Sequence, residues 1–97
     1  MKRIKKGKGN ELLLKGYEID ELKDDIKNSI IREHKHFLKS LGYNNPTNEE
    51  VKEDLNQNGH LFTEEGKPIL ITYHTKSGRT TKTTLRTGGK QIEVNIV

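Results

Sequence analysis

The fold is decided by the stretch from residue 68 to residue 97, which reads PILITYHTKSGRTTKTTLRTGGKQIEVNIV. It contains three runs that are rich in β-branched residues or alternate between apolar and polar residues, as strands do. The predicted strands cover residues 69–74, 80–86 and 91–97. Turn residues separate them at Ser77-Gly78 and Gly88-Gly89, so the pattern predicts an antiparallel meander.

The first hairpin loop decides which side chains share a face of this meander. A three-residue loop Lys76-Ser77-Gly78 pairs Tyr73 with Thr81 and separates apolar from polar side chains. A two-residue loop would set Ile69 opposite Arg86 and mix the two kinds, so we prefer the longer loop. With a two-residue turn at Gly88-Gly89, one face then collects Ile69, Ile71, Tyr73, Thr81, Thr83, Leu85, Ile92, Val94 and Ile96.

Two helices are predicted before the meander. The longer runs from about Asp20, its N-cap, to Leu41 before Gly42, because apolar residues recur there at spacings of three and four. The shorter begins at Thr47, where Thr47-Asn48-Glu49-Glu50 fits a capping box, and ends at Asn58-Gly59.

The fold class is therefore α+β: a short N-terminal strand within residues 11–18, two helices, and an antiparallel meander packed on the long helix. The meander has three strands, or four if residues 60–63 form another strand turned at Glu65-Gly66. Residues 1–10 read as a flexible basic arm, and residues 11–97 as a single domain.

Composition excludes several classes of protein. Of the 97 residues only 29% are hydrophobic and none is cysteine, which excludes a disulfide framework and a thiolate metal site. No run approaches the roughly 18 apolar residues of a membrane span. The start is charged but has no apolar core after it, so no signal peptide is predicted. We expect a cytoplasmic protein with no membrane association.

Charge is distributed in blocks along the chain. Residues 1–16 and 67–97 each hold six Lys or Arg and one acidic residue, whereas residues 43–66 hold one Lys and six acidic residues. If the two ends of the chain meet, one positive surface results, and a polyanion is its natural partner. This favours nucleic acid, and the polar side of the meander described next favours RNA.

The polar side of the predicted meander offers groups for chemistry. His74, Lys82, Thr84 and Arg86 project from it, with Lys82 opposite Thr72 and diagonal to His74. An imidazole moves protons near neutral pH, and neighbouring cations offset charge on a phosphate. These are the parts that RNA cleavage without metal requires; without catalysis they would grip a phosphate backbone.

Further basic residues form the expected nucleic-acid contacts in the arm, on one side of the long helix and at the first hairpin. They are Lys2, Arg3, Lys5, Lys6, Arg32, Lys35, His36, Lys39, Lys76 and Arg79. No cofactor or metal is expected, because nucleotide-binding glycine motifs and HExxH are absent and the carboxylate runs are typical of solvated helix faces.

The remaining features have other interpretations. His34 falls on the apolar stripe of the long helix and is predicted to be partly buried, and His60 is predicted to cap a turn. The acidic run from Glu49 to Asp54 offers a docking site for a basic protein partner.

The order of elements, the size and the basic charge resemble those of the small RelE-like and colicin-type ribonuclease toxins of bacteria, over roughly residues 11–97. The matching residue types are Lys35 and His36 on the long helix and His74, Lys82, Thr84 and Arg86 on the strands. The resemblance implies metal-independent RNA cleavage and a protein partner such as an immunity protein, an antitoxin or a target enzyme.

Two functions stay open. The first is a small nucleic-acid-binding domain that also acts as a metal-independent, toxin-like endoribonuclease. The second is a non-catalytic phage or mobile-element protein that binds nucleic acid or inhibits a nucleic-acid enzyme.

Overall fold

A computed structural model describes residues 1–97 and confirms the α+β fold. The elements in chain order are β1 (Lys2–Lys6), β2 (Leu12–Gly16), a 3-10 turn (Ile19–Glu21), α1 (Asp24–Ser40), α2 (Asn48–Gln57), β3 (Ile71–Lys76), β4 (Arg79–Thr87) and β5 (Lys90–Ile96). Neither helix combines the length and hydrophobicity that crossing a bilayer requires.

The five strands form one antiparallel sheet in the order β2-β1-β5-β4-β3. The N-terminal segment is not the flexible arm that its composition predicts, because β1 lies inside the sheet between β2 and β5. Its one apolar side chain, Ile4, is completely buried, and its backbone is paired on both sides. The two basic ends of the chain therefore meet, since Ile4 pairs with Ile96.

The two edges of the sheet are joined by the segment that precedes β3. Phe62 exchanges backbone hydrogen bonds with Tyr17, just beyond β2, at 2.8 and 2.9 Å. On its other side the same segment bonds to the residues that lead into β3, with Ile69 N–H donating to Leu61 C=O at 2.9 Å. This segment therefore links the two edges of the sheet, but it forms isolated bridges at Phe62 and not the additional strand considered at 60–63.

Two hydrophobic clusters divide the molecule. The sheet cluster has Ile4, Leu61, Leu85 and Val94 at its centre. The helical cluster has Ile19, Leu22, Ile31, Leu38, Val51, Leu55 and Phe62. The helices and the sheet thus have separate hydrophobic clusters, and α1 packs mainly on α2.

The helices begin and end at recognisable signals. Asp20 is not the N-cap of α1: it lies in a 3-10 turn closed by a capping box between Glu18 and Glu21, and α1 starts after Lys23. The glycine stop is confirmed, since Gly42 follows α1 with φ +98°. The capping box of α2 is also confirmed, because Glu50 N–H donates to Thr47 Oγ1 at 3.2 Å.

The predicted three-residue loop of the first hairpin is wrong, although the faces it predicted are largely preserved. Lys76 pairs with Arg79 around a two-residue turn, and both turn residues have positive φ. A bulge after His74 inserts one extra residue in β4 and restores the alternation, so Ile71 pairs with Leu85. The Gly88-Gly89 turn and the pairing of Leu85 with Ile92 are confirmed.

Candidate functional site

Strand alternation collects most of the sheet's charged side chains on the side opposite the buried cluster. The register places on this side Lys15 of β2, Arg3 and Lys5 of β1, Gln91, Glu93 and Asn95 of β5, Lys82, Thr84 and Arg86 of β4, and Thr72, His74 and Lys76 of β3. Arg79 pairs with Lys76 at the hairpin tip and shares its side. We call this set the outer face.

The cations of the outer face have no anionic partners. Seven Lys or Arg residues belong to it (Arg3, Lys5, Lys15, Lys76, Arg79, Lys82 and Arg86), and Glu93 is its one acidic residue. None of the seven takes part in a salt bridge. The face is therefore strongly positive, and its charge is available to an external ligand.

The basic residues of the N-terminal segment are divided between two sides of β1. Arg3 and Lys5 lie on the outer face, whereas Lys2 and Lys6 share the side of Ile4. The prediction of an unstructured arm did not include this alternation. It also left out Lys15, which pairs with Arg3 and was not among the predicted site residues. The sequence contains this alternation, because Arg3 and Lys5 are next to Ile4 whereas Lys2 and Lys6 are two residues away from it.

His74 lies directly opposite Lys82 rather than diagonal to it. Its Nε2 is 3.1 Å from Thr84 Oγ1, and the imidazole is partly buried. Thr84 was expected to project freely, but only 5% of it is exposed. The hydroxyl therefore lies beneath the imidazole and fixes the orientation of the ring, while Lys82 stays exposed beside it.

Arg86 lies further along β4, opposite Gln91 of β5. It is exposed, and its backbone N–H donates to Leu70 C=O at 2.9 Å, which anchors the end of β4 against the residues before β3. The guanidinium of Arg86 thus lies on the same outer face as His74 and Lys82 but at a different position along β4.

A forked groove opens between two neighbouring strands of the sheet. The ladder between β4 and β5 ends at the pair Thr84 and Glu93, and beyond it β5 pairs only with β1. The resulting groove has a volume of about 590 Å³. It is lined by Lys5, Gly9, Asn10 and Tyr73 together with residues 80–83 and 93–97, which include Lys82, Glu93 and Asn95. Two outer-face cations therefore border one polar groove.

The predicted basic residues of the long helix do not join this face. Arg32, Lys35, His36 and Lys39 lie on α1, outside the five-stranded sheet, and α1 packs mainly against α2. They thus belong to a different element from His74 and Lys82, which lie on β3 and β4.

The other histidines lie on the helical side of the molecule. His34 is partly buried, as predicted, and its Nε2 is 2.7 Å from Asp54 Oδ2. His60 follows α2, and its ring centroid is 6.0 Å from that of His34. Partial burial, and then the neighbouring imidazole of His34, lower the pKa of His60. No group of three or more His, Asp or Glu side chains has the geometry of a metal site.

Tyr73 is held away from the outer face. Its hydroxyl donates to Gly59 C=O at 2.9 Å, and burial raises its pKa. No Phe, Tyr or Trp therefore lies on the outer face, although Tyr73 lines the groove from the other side of β3. The outer face offers a ligand mainly cations, hydroxyls, amides and one imidazole, beside the carboxylate of Glu93 and the exposed Leu12, which pairs with Lys5.

Comparison of the chain with protein-family models, with curated proteins and with solved structures gives no significant match.

Proposed function

We propose that this domain binds nucleic acid, with RNA as the favoured ligand, on the outer face of its sheet. The observation that carries the proposal is the set of seven cations on one face with a single acidic residue among them and no salt bridge to any of them. Such a face attracts a polyanion and gains free energy from the release of its counterions.

The chemistry of the face favours contacts to phosphate and sugar. Lys5 and Lys82 border the forked groove, where Asn10 and Asn95 supply amide donors and acceptors. The one aromatic residue that lines the groove, Tyr73, lies on the other side of β3 with its hydroxyl bonded to Gly59, so contacts to phosphate and sugar are expected to dominate over base stacking. We therefore expect strong salt dependence and weak preference between sequences. In this proposal the protein acts in the cytoplasm, where RNA is abundant.

Fluorescence anisotropy with a labelled single-stranded RNA, repeated over a series of NaCl concentrations, tests the binding. The proposal predicts a linear fall of log Kobs with log salt, and a slope reduced by about one in Lys82→Gln. Lys39→Gln is the matched control, since it removes the same charge from α1 and should leave the slope unchanged. Binding that is absent, or that Lys82→Gln and Lys39→Gln weaken equally, would reject the outer face as the site.

A second function is favoured by one specific geometry: the His74 imidazole is bonded to Thr84, and His74 pairs directly with Lys82 across the two strands. In the proposed reaction His74 accepts the proton of a ribose 2′-hydroxyl, and the 2′-oxygen attacks the adjacent phosphorus. The bond from phosphorus to the 5′-oxygen breaks, and that oxygen takes a proton from water. Lys82 offsets the charge on the phosphate during the attack. The products are a 2′,3′-cyclic phosphate and a 5′-hydroxyl, which fits the resemblance to bacterial ribonuclease toxins.

Incubation of the purified protein with total RNA in EDTA tests this reaction. Cleavage in EDTA that is lost in His74→Ala, while RNA binding is retained, would support it. RNA that stays intact while binding persists would reject catalysis and support a non-catalytic binding protein, such as one from a phage or mobile element. Thr84→Val is a further variant: loss of the hydroxyl should lower the cleavage rate and leave the salt slope of binding unchanged.

A further inference from the structure

The helical side of the molecule carries an exposed apolar patch. Phe37 and Leu41 are four residues apart and so point to one side of α1, and Tyr43 follows shortly after the helix. The exposed fractions of the three residues are 54%, 61% and 58%. Large side chains grouped in this way are costly to leave in water and mark interaction surfaces.

Two cavities adjoin this patch. The first has a volume of about 210 Å³, with Leu38, Tyr43 and Pro46 as its apolar walls. The second, of about 240 Å³, is lined by Phe37, His34, Phe62 and neighbouring apolar residues. The hydrogen bond between His34 and Asp54 links the walls of the two cavities. A large apolar side chain of a partner therefore has two places to enter.

No Lys or Arg lines either of these two cavities, but four acidic residues do. They are Glu33, Glu50, Glu53 and Asp54. The one lysine of residues 43–66, Lys52, does not offset them, because its Nζ is 3.2 Å from Asp20 and 3.6 Å from Glu49. The apolar patch is thus bordered by acidic side chains that have no Lys or Arg partner.

We propose that this surface, formed by α1, α2 and Tyr43, docks a basic segment of another protein. In the complex an apolar side chain of that segment fills a cavity, and Lys or Arg residues beside it pair with Glu50 and Glu53. The acidic border repels RNA and anionic lipids, so charge complementarity favours a cationic polypeptide. This surface is separate from the outer face and does not depend on the function proposed for it.

NMR titration of the isotope-labelled full chain tests the docking surface. The probes are a short synthetic peptide of alternating Lys and Leu residues and a matched peptide with Glu in place of Lys. The Lys peptide should shift the amide resonances of Phe37, Tyr43, Glu50 and Glu53 and leave those of the outer face unchanged. The Glu peptide should shift none of them.

Matched variants separate this site from general attraction between charges. Glu50→Gln with Glu53→Gln should weaken binding of the Lys peptide about fivefold, as expected for two exposed charge pairs. The cap of α2 survives this change, because glutamine also completes a capping box. Glu11→Gln with Asp24→Asn, which removes two charges elsewhere, should change the affinity little. Tyr43→Ala should also weaken binding, with a far-UV circular dichroism spectrum that shows the fold intact.

Several outcomes would overturn the proposal. One is that the Lys peptide shifts mainly the resonances of another surface. Another is that the two double variants weaken binding of the Lys peptide equally. A third is that the Glu peptide binds as tightly as the Lys peptide. Shifts of the same resonances that depend only on protein concentration would assign the surface to a second copy of this chain. Shifts of these resonances by RNA would likewise contradict a docking site for a cationic polypeptide.

Discussion

Leu61 and Phe62 are adjacent in the chain, yet their side chains are buried in different hydrophobic clusters. Leu61 belongs to the sheet cluster and Phe62 to the helical cluster, and each is only 5% exposed. Strand alternation causes the division, because this segment bridges the two edges of the sheet and its successive side chains point to opposite sides. Two consecutive residues therefore tie the helices to the sheet.

Leu61→Ala should lower the free energy of unfolding by about 2–4 kcal/mol, since it removes a buried side chain and leaves a cavity. Leu61 also packs closely on Gly16, where a Cβ would lie 3.0 Å from its Cδ1. Urea denaturation followed by circular dichroism measures the loss. A change below about 1 kcal/mol would show that Leu61 is not part of the core.

Two glycines with similar backbone conformations should differ in their tolerance of alanine. Gly78, in the first hairpin turn, has φ +78° and open space around it, so Gly78→Ala should cost about 1–2 kcal/mol from backbone strain alone. Gly66 has φ +87°, and a Cβ there would lie 2.4 Å from Ile26 Cγ2 on α1.

Gly66→Ala should therefore cost the same strain and about 1–3 kcal/mol more for overpacking against α1. Thermal denaturation of the two variants in the same buffer makes the comparison. Equal losses of stability would contradict the close packing of the 63–67 turn on α1.

His60 should make stability depend on pH. Its folded-state pKa is lowered from 6.5 by partial burial and by His34, while Asp54 opposes the shift. Above about pH 6.5 the ring is neutral in both the folded and unfolded states. Below it the unfolded chain takes up a proton that the folded chain resists, so stability falls as the pH decreases toward the folded-state pKa.

Melting temperatures at about pH 7.5 and about pH 5.5 measure this effect. The wild type should lose more stability between the two than His60→Asn, in which the titrating ring is absent. The difference should be small, since His60 keeps an exposed edge. A larger loss in His60→Asn than in the wild type would contradict the assignment.

Local signals predicted much of the fold. The capping box at Thr47, the stop at Gly42 and the Gly88-Gly89 turn were all readable because each depends on a few neighbouring residues. The N-terminal strand was not, since Ile4 is a single apolar residue among cations and gains its burial from distant residues such as Ile96. Long-range pairing, which a local pattern does not contain, decided that element.

The candidate site was predictable to a similar extent. The grouping of His74, Lys82 and Arg86 on one side followed from strand parity, which the bulge in β4 preserved. The direct pairing of His74 with Lys82 did not, because it required knowing where the bulge lies. The helical residues Arg32, Lys35, His36 and Lys39 were predicted from their charge, and Lys35 and His36 also from the resemblance; the structure places all four on α1, outside the sheet.

The most direct test of the proposed function compares two double variants of β1 that remove equal charge from opposite sides of the same strand. Arg3→Gln with Lys5→Gln removes two cations from the outer face, and Lys2→Gln with Lys6→Gln removes two from the side of Ile4. The first double variant should lower the salt slope of RNA binding by about two, and the second should leave it nearly unchanged. Equal reductions in both, or a larger reduction in the second, would contradict binding on the outer face.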